Sequence, residues 1–255
     1  MNIMTESMAT NANHPVIILR PVKVFVYFLC VAVMLLLLNL TGLWLAKISG
    51  DSGFFTNALV FFFDASAEGN IPTLFTVLML FLASMFLLLI YYLPGEGSFP
   101  SNKKYWLSLS FIFLFLTIDE AARVHEQFNK IGDLLPTDES GYFAYPWILP
   151  YSIVVFSTGF FFLRFLFRLP SRTRKLFLVS GFIYVSSALG FELFEGRVSK
   201  IYEISHLYDK LLCAIEEFLE MMGVIIFIYA LLDYFCSSQR TVLIGYTRQP
   251  VPENK

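Results

Sequence analysis

The run VKVFVYFLCVAVMLLLLNLTGLWL, Val22–Leu45, decides the fold class. An α-helix rises about 1.5 Å per residue, so roughly 20 apolar residues cross a hydrocarbon layer about 30 Å thick. This run is long enough. A membrane strand would instead alternate in polarity over about ten residues. The stretches Met34–Leu38 and Phe111–Leu116 are continuously apolar and do not alternate.

Five further stretches have the same character: Pro72–Leu93, Tyr105–Glu126, Trp147–Arg168, Lys175–Glu195 and Leu211–Phe235. The expectation is an all-α, polytopic bundle of six transmembrane helices forming one domain over residues 21–237. Polar cytoplasmic tails are expected at residues 1–20 and 238–255. Val22–Leu45 is too long for a signal-peptide core and lacks both the basic leader and a cleavage-site pattern, so it is expected to be retained.

Composition excludes the other classes. The chain is 57% apolar, 18% aromatic and 15% charged, with mean hydropathy +0.67. Soluble domains carry about 25% charged residues. Three widely spaced cysteines, Cys30, Cys213 and Cys236, form neither a disulfide framework nor a zinc signature. With 18 basic and 20 acidic residues there is no basic face for nucleic acid.

Basic residues set orientation. One side carries only Lys47, Arg123, Lys130, Arg197, Lys200 and Lys210, and the remaining Lys and Arg fall on the other. Both termini are therefore expected in the cytoplasm of a bacterial-type inner membrane. The acids are skewed the opposite way. Only Glu6, Glu96, Asp233 and Glu253 lie on the cytoplasmic side. Acids contribute little to insertion, so the skew points to a role for carboxylates at the outer face.

Between the first two spans, Phe54–Phe63 is apolar but too short to cross. It is expected to be an interfacial or re-entrant helix, and in a sharper version a lid with Asp64 or Glu68 reaching inward. Pro72 suits the first turn of the helix that follows. Trp44, Trp106 and Trp147 are expected as interfacial anchors. Gly181, Gly190 and Gly223 are expected where helices approach closely.

Three spans carry ionisable groups toward the outer side. On the third, Asp119, Arg123 and Glu126 share a stripe on an ideal wheel with Glu120 at its edge, while His125 points elsewhere. On the fifth, Glu192 and Glu195 share a face. On the sixth, if the helix extends outward, His206, Asp209, Cys213, Glu216, Glu217 and Glu220 occupy one sector. A helix in lipid that gathers its acids on one side turns that side inward. Asp119, Glu120, Glu126, Glu192, Glu195, Glu216, Glu217 and Glu220 have only Arg123 and Arg197 nearby in sequence to balance them. Bound metal, protons, a cationic substrate or a wet vestibule would each relieve that excess.

A divalent metal, iron or manganese before zinc or calcium, is the favoured expectation, since carboxylate-rich bundles with a histidine hold such ions. Candidate ligands are Glu120, His125, Glu126, Glu192, Glu195, His206, Glu216 and Glu220. Candidate catalytic groups are Glu120, Glu192, Glu216, Glu217 and Glu220, supported by Asp119 and Arg123. The expected function is a membrane-embedded, metal-dependent enzyme on a lipid or other hydrophobic substrate. A proton- or cation-coupled transporter and a non-catalytic accessory subunit are the alternatives. Expected partners are membrane lipid and a membrane-protein partner or second copy, with no nucleic acid.

Overall fold

The computed structural model describes residues 19–49, 53–67, 69–93, 102–128, 146–194, 198 and 206–238. Among them the secondary structure is entirely helical. The order is α1 (Pro21–Ser49), α2 (Phe54–Phe63), α3 (Ile71–Tyr92), α4 (Lys103–Ala122), the single turn α5 (Val124–Gln127), α6 (Ile148–Arg168), α7 (Ser171–Val185) and α8 (His206–Ser238). A wider helical segment, Ser186–Phe191, continues α7. Five helices are long and apolar enough to cross a membrane: Pro21–Ile48, Ile71–Tyr92, Lys103–Ala122, Ile148–Arg168 and Ser171–Phe194. Their exteriors suit that setting, with Val26, Met34, Leu37, Phe111, Ile153, Phe156, Phe160 and Phe182 all exposed. A water-soluble chain does not present so much contiguous apolar surface.

The sixth expected span, Leu211–Phe235, lies within α8, which supplies much of the bundle core. Helix α8 packs on α1, α3 and α7, and α3 pairs with α4. Val224, Ile225, Ile228, Leu231 and Leu232 are all at most 2% exposed. They meet Ala32 and Leu35 of α1 and Met79, Leu80, Ala83 and Leu87 of α3 in one core. Phe113 stacks on Phe227 with ring centroids 4.4 Å apart.

Polar atoms inside lipid need internal partners. Ser84 Oγ donates to the Ser110 carbonyl at 2.8 Å, and Ser110 Oγ returns to the Ser84 carbonyl at 3.0 Å, clamping α3 to α4. Ser180 Oγ donates to the Gly223 carbonyl at 2.8 Å, joining α7 to α8. A Cβ on Gly223 would lie 2.8 Å from Tyr184 Cβ and 3.0 Å from its backbone nitrogen, so only glycine allows this crossing. Gly181 and Gly190 do not mark close approaches. A Cβ meets nothing within 4 Å at Gly181 and only Ser186 Cβ at 4.0 Å at Gly190.

The helix ends follow local chemistry. Asn70 caps α3 by accepting from the Thr73 amide at 3.1 Å, with proline in the first turn as expected. Helix α2 is a ten-residue helix, about 15 Å long, and too short to cross. It lies on α1, where Gly42 leaves room for Leu59, and Asn39 Nδ2 donates to the Phe63 carbonyl at 2.9 Å. Phe54, Phe55, Phe61 and Phe62 remain exposed.

Two opposite ends of the bundle are tied by ion pairs. Arg172 at the start of α7 meets Asp233 near the end of α8 at 3.0 Å and the Tyr229 hydroxyl at 2.8 Å. At the other end Lys210 Nζ meets Asp64 Oδ2 at 2.6 Å. Burial pushes the Asp64 carboxyl up. The Lys210 ammonium and the Ser66 amide and hydroxyl outweigh that and hold it below the ordinary carboxylate value.

The tryptophans correct one expectation. Trp44 is exposed, but Trp106 and Trp147 are 3% and 7% exposed and pack inside the protein. Trp106 lies against Phe165 and Tyr234 because α4 and α6 bring an aromatic layer to the Arg172 end. Nearly all of the two expected tails, the loop Asn129–Ala144, Glu68, Glu195 and Arg197 lie outside the described residues.

Candidate functional site

The third span does not run straight to Glu126. Helix α4 stops at Ala122, and Arg123 takes a left-handed conformation (φ 52°, ψ 46°), its amide donating to the Asp119 carbonyl. A non-glycine residue in that region is strained and unusual. The break turns the chain, so the ideal wheel no longer applies beyond it. Arg123 swings away and its guanidinium lies against Gly69, itself at φ +79°. His125 swings back onto α4, reversing the expectation that it points elsewhere.

Asp119 organises this corner. Its Oδ1 accepts from the His125 amide at 2.8 Å and from the Tyr151 hydroxyl at 2.7 Å. The His125 ring Nδ1 lies 3.4 Å from Asp119 Oδ2. Trp147 flanks the imidazole, with centroids 5.1 Å apart, and stands edge-on to Tyr151 at 5.0 Å. A carboxylate on one imidazole nitrogen fixes ring orientation, which is how acid–base histidines are held. Trp147 is therefore a wall of the site rather than an interfacial anchor.

Beyond this corner lies a cavity of about 150 Å³. It sits where the end of α4, the start of α6, the end of α7 and the first half of α8 meet. Asp119, Glu120, Glu192, Glu216, Glu217 and Glu220 line it together with His125, Trp147, Tyr151 and Tyr184. Leu116, Val155, Val185, Ala188 and Leu189 supply its apolar wall. Neither Lys nor Arg lines it among the described residues.

Glu192 follows the wide segment Ser186–Phe191, in which the helix opens to π spacing. The two serines at its start divert carbonyls from the regular ladder. Ser186 Oγ donates to Phe182, and Ser187 Oγ donates to Ile183 at 2.9 Å and to Tyr184 at 3.0 Å. Such local hydroxyl bonds compete with helical ones, and π segments recur at functional sites. The segment resets the register before Glu192 enters the cavity.

The extension of α8 ahead of its apolar run that the sequence calls for is present, the helix running from His206. Glu216, Glu217 and Glu220 all reach the cavity wall, as one helical face requires. Of the ten expected site residues besides Arg123, seven surround one space. The side chains of Glu126, Glu195 and His206 lie outside the described residues. Among the described residues no three His, Cys, Asp or Glu side chains are grouped tightly enough to hold a metal ion. Sequence reasoning missed Tyr151 and Tyr184. Both come from distant helices and carry no local signal.

No curated protein and no solved structure matches the chain. Residues 26–235 match a family described as Domain of unknown function (DUF8692), a span that includes every described cavity-lining residue. The chain belongs to that family.

Proposed function

We propose that the chain is a six-span inner-membrane protein with cytoplasmic termini, and that its acid-lined cavity is an enzyme centre open to the outer face. The substrate would be a lipid or another hydrophobic molecule entering from the bilayer. Helix α8 supplies the sixth crossing in this reading. Lys210 and Asp233 lie about 35 Å apart along it at 1.5 Å per residue, enough to pass the hydrocarbon layer. Helix α2 would lie in the outer interface with its phenylalanines in lipid.

The observation that carries the enzyme reading is an Asp119-held His125 beside five glutamates in one cavity. His125 would move protons, with Tyr151 holding Asp119 in place. Glu120, Glu192, Glu216, Glu217 and Glu220 would act as acid–base groups, and to bind a divalent cation, iron or manganese, several of them would have to draw closer together than they stand. Support for the cation is the chemistry of the lining, since carboxylate oxygens and an imidazole are donors that manganese and iron accept. Metal analysis of detergent-purified protein tests this reading. A stoichiometric metal that is lost in Glu220→Gln and Glu216→Gln is expected. Metal-free protein that gains no thermal stability from added manganese or iron contradicts it.

A proton- or cation-coupled carrier is the second reading, favoured by depth. If α8 crosses, Glu220 would lie about 15 Å along it from Lys210, near the middle of that crossing, on a cavity it shares with a π-interrupted partner helix. Cation uptake into proteoliposomes that stops in Glu192→Gln would support it, and no uptake in wild type would exclude it.

A further inference from the structure

A second, smaller cavity adjoins the first. It has a volume of about 10 Å³ and lies between α1, α8 and the α2–α3 turn, walled by Asn39, Ala65, Pro72, Ala214, Glu217 and Met221. Asn39 is 3% exposed. Its Nδ2 is committed to the Phe63 carbonyl at 2.9 Å, which fixes how the amide is turned. Its Oδ1 is buried and has no hydrogen-bond partner among the described residues. A buried amide oxygen without a donor costs about 1–3 kcal/mol, and interiors resolve such costs with ordered water.

We infer that this cavity binds a single water molecule that donates to Asn39 Oδ1 and to the Glu217 carboxyl. The volume is close to the space of about 10–15 Å³ that one water needs. A bare cation is disfavoured, because hard cations take about six or more oxygens and the side chains here offer Asn39 and Glu217. Glu217 also lines the main cavity, so the water ties α1 to a candidate site residue, and Asn39 is a positioning residue. The inference does not depend on whether the main cavity holds a metal.

X-ray hydroxyl-radical footprinting of the full chain in lipid nanodiscs tests it, because radicals form at bound water and mark adjacent side chains. Met221 and Met79 are comparably buried, at 4% and 2% exposure, but only Met221 lines the small cavity. Met221 is expected to oxidise several-fold faster than Met79 in wild type, and to lose that excess in Asn39→Leu. Equal rates at the two methionines in wild type would overturn the inference without needing any variant. So would an undiminished Met221 rate in Asn39→Leu protein that elutes and melts like wild type.

Discussion

At Asp119 one carboxylate receives a backbone amide, a phenol and an imidazole from two other helical segments. Half of this was legible. The acid and the histidine stand six residues apart in the sequence, but an unbroken helix keeps them on different faces. Arg123 in the left-handed region brings them together, and nothing about an arginine announces that conformation. Asp64 was legible only as a residue able to reach inward; its partner, Lys210, lies far away in sequence. Because its carboxyl is held below the ordinary value of about 3.9, the pair contributes stability that is complete above that pH. The contribution is lost as pH falls through the lower folded-state value. Lys210→Met should cost about 2–3 kcal/mol, less than the 3–5 of a fully stranded buried charge because Ser66 still donates. It should also make acid unfolding begin at higher pH, and Asp64→Asn in the same protein should recover most of the loss. Thermal unfolding in detergent from pH 3 to 8 reads this, and identical curves for wild type and Lys210→Met would refute it.

At the level of elements, apolar run length located the helices closely, because about 20 apolar residues admit few alternatives. Chain contacts were less visible. The sequence marks three glycines alike, yet only Gly223 meets a partner backbone, since that depends on which helix crosses there. The π segment was equally hidden, because Ser186 and Ser187 act through carbonyls that no residue pattern displays. A valine at Gly223 must push Tyr184 away and strain the Ser180 hydrogen bond at the α7–α8 crossing. Gly223→Val should destabilise by about 1–3 kcal/mol, the usual cost of overpacking. It should also widen the space between Glu192 and Glu220, weakening any cation bound there. Gly181→Val, where nothing lies within 4 Å, should leave both unchanged. Chemical unfolding and manganese titration of the two variants check the pair, and equal losses in both would contradict the crossing.

For the whole molecule, the pattern of charge along the chain corresponds to two distinct ends. Arg172 and Asp233 pair at one, while Asp64 and Lys210 pair at the other, on the side where the acids gather. The gathering of the acids toward one end of the bundle was thus legible as an asymmetry, whereas their convergence on one cavity required four helices to meet. In the proposed function, water and cations reach that cavity from outside. Its most direct test is labelling by a membrane-impermeant maleimide of Glu216→Cys in a chain whose native cysteines are replaced, comparing right-side-out and inside-out vesicles. Rapid modification is expected in right-side-out vesicles and little in inside-out ones. Modification only in inside-out vesicles, or in neither while the denatured protein labels fully, would contradict it.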